Sequence, residues 1–207
     1  MGKASQNREP EFILVPKSPK AKEYHQRVFM PRVSKELEKM NSQPITVFVC
    51  GPTEDYQALT LKKIDTVNAL RELGHDAIIG EELVSELSKQ DSGAGRPVQT
   101  AYTYELVAAS KSDLVIVFCA SPGSIGETYE FLSVSAIGQK TLIFIDEKYR
   151  NSYTSVGILA THKRLYRPLE TYKSPEDIDN CTLMGRVIDL VQAYQSAKSI
   201  SRISEGT

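Results

Sequence analysis

The chain predicts an α/β fold: a Rossmann-like (flavodoxin-like) three-layer sandwich with a parallel sheet of about five strands, plus an N-terminal helical arm. Two observations carry that reading. Short β-rich apolar runs alternate with segments whose apolar residues recur at helical spacing. The run Leu114-Val-Ile-Val-Phe-Cys119 is apolar at every position, as a strand covered by helices on both faces must be.

Taken in order, residues 1–43 form the arm. Its first twenty or so positions are polar and carry Pro10, Pro16 and Pro19, and a helix is expected from Glu23 to about Met40. Pro44 opens the main domain, expected over residues 44–199, with a flexible tail at 200–207. Ile45–Cys50 reads as the first strand, ending in Gly51-Pro52-Thr53. A helix follows from Tyr56 to Leu73, with Leu59, Ile64, Val67 and Leu70 as its apolar stripe and Gly74 as its stop. Ala77–Ile79 is a short strand, followed by Gly80-Glu81-Glu82-Leu83, a short helix and a polar loop from Gln90 to Pro97. Gln99–Lys111 suits a helix and Leu114–Cys119 the third strand. Ser121-Pro122-Gly123-Ser124 has turn chemistry, and a helix from Ser124 to Ile137 is stopped by Gly138. Thr141–Ile145 is the fourth strand, residues 146–164 are irregular, and Leu165–Tyr172 is a fifth strand. Ser174-Pro175-Glu176-Asp177 has the signature of a helix start, and one last helix is expected from there to about Ala197.

Composition narrows the function classes. With 41% apolar and 25% charged residues, the 207-residue chain is that of a globular protein with an ample core. A net charge of −1 gives no global attraction to nucleic acid or anionic membrane. No apolar run approaches the roughly 20 residues that span a bilayer, so a cytoplasmic protein without membrane contact is expected. Cys50, Cys119 and Cys181 are far apart, and the first and second close apolar strands, which suits core residues in a reducing compartment. His25, His75 and His162 have no metal-ligand spacing, so no metal site is expected. GxGxxG, GxxxxGK[ST] and GxSxG are all absent, which removes sequence support for dinucleotide-fingerprint, ATPase and serine-nucleophile chemistry; no cofactor is expected.

In a parallel sheet the loops after the strands share one edge, where ligands bind. That edge collects Gly51-Pro52-Thr53, Tyr56, Glu81 and the stretch from Ser121 to Glu127. The small residues Ser121, Gly123 and Ser124 allow a ligand to approach the backbone, and the N–H groups of the helix start could meet a sugar hydroxyl or phosphate. Glu127, read as lying just inside that helix in its first turn, could attack or stabilise an anomeric carbon as its bond to a base breaks. A stabilising first-turn acid is the plainer alternative. Glu105, among Tyr102, Thr103 and Tyr104, could supply a second acid or read a base, or belong to a solvated face. Tyr56 could stack on a base or fill the core. The basic run from His162 to Arg167 is a solvated loop or a phosphate contact.

At these residues the chain resembles a known superfamily. Ile45 to Gly51-Pro52, Glu105, Ser112-Asp113-Leu-Val-Ile-Val and Ser121-Pro-Gly-Ser-Ile-Gly-Glu127 look like nucleoside 2-deoxyribosyltransferases and the related SLOG nucleotide-binding domains. The nearest likeness is to the deoxyribosyltransferase-like domain of retron toxin effectors in antiphage defence, over about Ile45–Ile145. The resemblance implies that Glu127 is the nucleophile on the anomeric carbon, that Glu105 helps hold the base, and that Gly51 and Pro52 line the sugar pocket. It also implies a nucleotide or nucleoside substrate, a homo-oligomer and, in a retron, a reverse transcriptase and msDNA as partners. The Asp-Ser-Gly-Thr turn of the transferases is here Ser121-Pro-Gly-Ser124, which favours hydrolysis over transfer between bases. An N-glycosidase cleaving the base–sugar bond of a nucleotide, nucleoside or NAD is the first expectation. A nucleotide-sensing module without catalysis, and a toxin or scaffold subunit controlled by partners, are the alternatives.

Overall fold

The computed structural model describes residues 43–52, 56–93, 101–152, 156–158, 160 and 169–205, with a few isolated positions before residue 43. The chain divides into two units, Met1–Met40 and Asn41–Thr207, and the sheet lies in the second. Thr53, the basic run from His162 to Arg167 and nearly all of the expected arm lie outside the described residues.

Five strands form one parallel sheet: β1 (Thr46–Cys50), β2 (Asp76–Ile79), β3 (Leu114–Cys119), β4 (Thr141–Asp146) and β5 (Leu169–Tyr172). Their order is β2-β1-β3-β4-β5, the doubly wound arrangement with its reversal of direction between β1 and β3. β3 sits at the centre and β4 beside it, and both are buried at every position. That is why β3 reads as an unbroken apolar run and β4 is apolar from Leu142 to Ile145. β2 and β5 are edge strands with partly exposed positions.

The intervening helices are α1 (Gln57–Glu72), α2 (Gly80–Gly93), α3 (Ala101–Lys111), α4 (Pro122–Ser133), the short α5 (Ser135–Gly138) and α6 (Glu176–Asp179), and the long α7 (Thr182–Glu205). On one face of the sheet, Leu59, Val67 and Leu70 of α1 join Leu183, Val187 and Val191 of α7 over Val47, Val49, Ile116 and Phe144. On the other, Ala109 of α3 and Phe131 and Leu132 of α4 pack over Phe48, Val115, Val117 and Ile143. Phe48 and Phe131 meet edge to face at 6.2 Å.

Several boundaries differ from expectation for local reasons. The buried stripe of α1 is Leu59, Lys63, Thr66, Val67 and Leu70, while Ile64 points outward. α2 runs on to Gly93, through the first part of the expected loop. The helix expected from Ser124 to Ile137 begins earlier, at Pro122, and breaks at Val134, whose backbone is extended. The single helix expected after Ser174 is two, because Cys181 adopts a positive φ of 63° between α6 and α7. α7 continues to Glu205, beyond the expected end near Ala197 and into the stretch read as a tail. Gly74 stops α1 as anticipated, with φ of 87°.

Candidate active site

The reversal of strand order opens a crevice between the carboxyl ends of β1 and β3, and the chemistry-bearing side chains gather around it. Gly51 follows β1 and faces β3 so closely that a Cβ would stand 3.0 Å from Phe118 Cβ and 3.2 Å from the Phe118 carbonyl oxygen. A side chain there would force the Phe118 strand to give by a few tenths of an ångström. Pro52 is buried, and its carbonyl accepts hydrogen bonds from Thr60 Oγ1 at 3.1 Å and Lys63 Nζ at 3.2 Å. The loop after β1 is thus pinned to α1.

Lys63 is the residue that the sequence reading missed. Its side chain is 1% exposed on the inner stripe of α1, and its ammonium pairs with Glu81 at the start of α2. The signal was present: position 63 is one helical step from both Leu59 and Val67, so a lysine there interrupts a buried face. A lysine is carried inside only when its charge is answered. Glu81 answers it while remaining half in solvent. Its neighbour Glu82 turns away to Arg71, at 2.6 Å.

Glu105 reaches the crevice from α3. Its Oε1 lies against Gly80, where a Cβ would meet it at 2.7 Å, so a larger residue there would displace the Glu105 carboxyl. Burial, followed by the charges of Glu127 and Glu81, pushes the Glu105 carboxyl up to about 7 against the pull of Lys63. Glu127 stands on α4. Burial raises its carboxyl above the ordinary value; Lys63 opposes that most strongly, Glu81 adds to it, and a hydrogen bond from the Cys50 thiol opposes it again. The same burial, with Glu127 and Glu105 nearby, drives the Cys50 thiol well up, so it stays protonated. Oε2 of Glu127 is buried and has no hydrogen-bond partner. An orphaned buried carboxylate oxygen is expensive.

The turn before Glu127 is organised differently from expectation. Ser121 is the N-cap of α4, Pro122 its first residue, and Ser121 and Ser124 form a reciprocal capping box. Ser124 is buried; its hydroxyl accepts from the N–H groups of Ala120 and Ser121 at 3.0 and 2.9 Å and donates to the Ser121 carbonyl. The N–H of Ser124 is taken by Ser121 Oγ and that of Ile125 by the Ser121 carbonyl. These donors, expected to meet a ligand, are spent on the cap, and Ser124 builds the turn from within. Glu127 accordingly falls in the second helical turn, not the first, so the helix dipole is not what holds it there. Gly123 is exposed and open on its outer side. Glu130 is exposed as well.

Tyr56, expected to stack on a base, stands at the start of α1 and lines a separate cleft with Ala120, Asp146, Lys148, Tyr149 and Tyr172. Asp113 is structural, at the opposite edge of the sheet. It accepts the Thr46 N–H at 3.0 Å and pairs with Lys198. Cys50 and Cys119 are buried free thiols and Cys181 is exposed. Among the described residues no cluster of His, Cys, Asp and Glu could hold a metal, and no helix is long and apolar enough to cross a membrane.

The crevice therefore brings together Glu81, Glu105 and Glu127 around Lys63, under loops fixed by Gly51 and Gly80. No curated protein matches the chain. The family model described as STM3845 retron effector protein matches residues 67–205, a span that runs from the middle of α1 to the end of α7 and includes all three glutamates. By that match, which covers most of its length, the chain belongs to the STM3845 retron effector family.

Proposed function

We propose that this retron effector is an N-glycosidase that cleaves the base–sugar bond of a nucleotide, with Glu127 as nucleophile and Glu105 as acid and base. The supporting observation is the pairing of two half-buried carboxyls with different electrostatic surroundings. Burial raises Glu127, Lys63 is the strongest charge opposing that rise and the buried Oε2 has no partner, while Glu105 holds its proton to about 7. Both carboxyls are raised by burial, and two such groups at one edge of the sheet can divide the roles of nucleophile and acid.

In the proposed reaction the Glu127 carboxylate attacks C1′ as the glycosidic bond breaks. The bond's electron pair leaves on the base nitrogen, which takes the proton of Glu105. The resulting glycosyl ester is opened by water, whose proton returns to Glu105, freeing the sugar and restoring both groups. The resemblance to nucleoside 2-deoxyribosyltransferases supports the same assignment at Glu127. Destruction of a nucleotide pool would make such an enzyme a toxin in antiphage defence. In a retron its partners would be the reverse transcriptase and msDNA.

Chromatography of reactions with NAD, NMPs, dNMPs and nucleosides tests the proposal. Wild-type protein releases free base from at least one class. Glu127→Gln reduces release by at least a thousandfold and keeps its far-UV circular dichroism. Equal turnover by the variant and wild type would overturn the assignment.

A further inference from the structure

The cleft that Tyr56 lines is not the crevice of the glutamates. It lies at the carboxyl ends of β3, β4 and β5, on the α1 and α7 side of the sheet, whereas the carboxylates gather at β2, β1 and β3. Three tyrosines enclose it. Tyr172 is buried, while Tyr56 and Tyr149 are 36% and 40% exposed and present ring surface to the cleft. Asp146, buried at the end of β4, fixes one cation at the mouth: Lys148 Nζ stands 3.0 Å from Asp146 Oδ2 and 4.9 Å from the centre of the Tyr149 ring.

The cleft holds about 220 Å³. That is smaller than the roughly 300 Å³ at which pockets for drug-sized ligands begin, and suits one flat ring system. Stacking on tyrosine suits any nucleobase, since every base offers a π-face. Position then decides which base. Glu105, the proposed acid for the departing base, lies against Gly80 at the end of β2. From β2 to β4 are three strand spacings, on the order of 15 Å. One nucleoside is too short to reach both. A dinucleotide is long enough, with its pyrophosphate passing Ala120 and Lys148.

We infer that the tyrosine cleft binds the second nucleobase of a pyrophosphate-bridged dinucleotide whose other half lies at Glu127. This rests on the proposed reaction for the half it cleaves, but the cleft is tested by binding alone. The experiment is calorimetric titration of full-length Glu127→Gln, with and without Tyr149→Ala, against NAD and its two halves, NMN and AMP. Because Tyr149 is 40% exposed and belongs to neither core cluster, the second substitution spares the core; Tyr56→Ala serves as an independent variant. NAD binding should weaken about tenfold or more in either tyrosine variant, while one of the two mononucleotides keeps its affinity. Unchanged NAD binding overturns the inference, and so does an equal loss for both halves. Cleft-dependent NAD binding without base release by wild type would leave this site standing and remove the N-glycosidase; base release indifferent to Tyr149 would do the reverse.

Discussion

Glu105→Gln should make the protein more stable at pH 8 and leave it nearly unchanged at pH 4.5. In the unfolded chain the Glu105 carboxyl loses its proton near 4.5, and in the fold only near 7. Between those values the folded state binds more protons, so the contribution of Glu105 to stability falls as pH rises, then levels off above about 7. The difference corresponds to about 3 kcal/mol as a ceiling. Glu105 is only half buried, so solvent screening lowers this to about 1–2 kcal/mol. For a chain of this length each kcal/mol is worth about 2–4 °C in melting temperature, so the variant gains several degrees at pH 8. Thermal and urea denaturation at half-unit steps from pH 4.5 to 8, followed by circular dichroism, would trace the offset. A constant offset across that range, or a variant less stable at pH 8, would refute the claim that Glu105 carries its charge at a cost. Loss of base release in the more stable variant would show where that cost goes.

Other perturbations separate scaffold from chemistry. Lys63→Met removes the cation shared by Glu81 and the Pro52 carbonyl; because Glu81 can rehydrate, urea denaturation should show a loss of about 1–2 kcal/mol. With Lys63 gone the Glu127 carboxyl rises further, so the acid limb of the pH–rate profile should move to higher pH. Gly51→Ala puts a methyl against the backbone of Phe118 and should cost about 1–3 kcal/mol in the same assay. Gly80→Ala meets only the movable tip of Glu105, so it should cost under about 1 kcal/mol while base release falls at least tenfold.

Much of the fold was open to reading because the sheet is buried on both sides. β3 had the expected bounds and β1 and β4 came within a residue of theirs, since strands shielded on both faces are apolar through their middle, with polar residues only at the ends of β1 and β4. The ends of helices were harder. Pro122 looks like a turn residue, and only the Ser121–Ser124 cap shows it to be the first residue of α4. Cys181 at positive φ carries no local signal that would split α6 from α7. At the site, Glu81, Glu105 and Glu127 follow from topology, which delivers loops and helix starts to one edge. Lys63 does not, because its role comes from burial, and a lysine in a helix is by default a surface residue. Tyr56 was read as either a stacking or a core aromatic, and the structure leaves it exposed beside Tyr149 and Tyr172, which reach it only through the pairing of β4 with β5.

The thiol of Cys50 sets a limit on how tightly Glu127 is held. Its one proton has two claimants, the Ile116 carbonyl at 3.6 Å and the Glu127 carboxylate. A thiol is a weak donor even when it serves a single acceptor. A hydroxyl at the same place would bind the carboxylate firmly and blunt its lone pairs, and a second lysine would neutralise it. Sulfur does neither: it is a weak donor shared with the Ile116 carbonyl. Cys50→Ser is thus a change of a single atom that should hold the proposed nucleophile more firmly and slow base release.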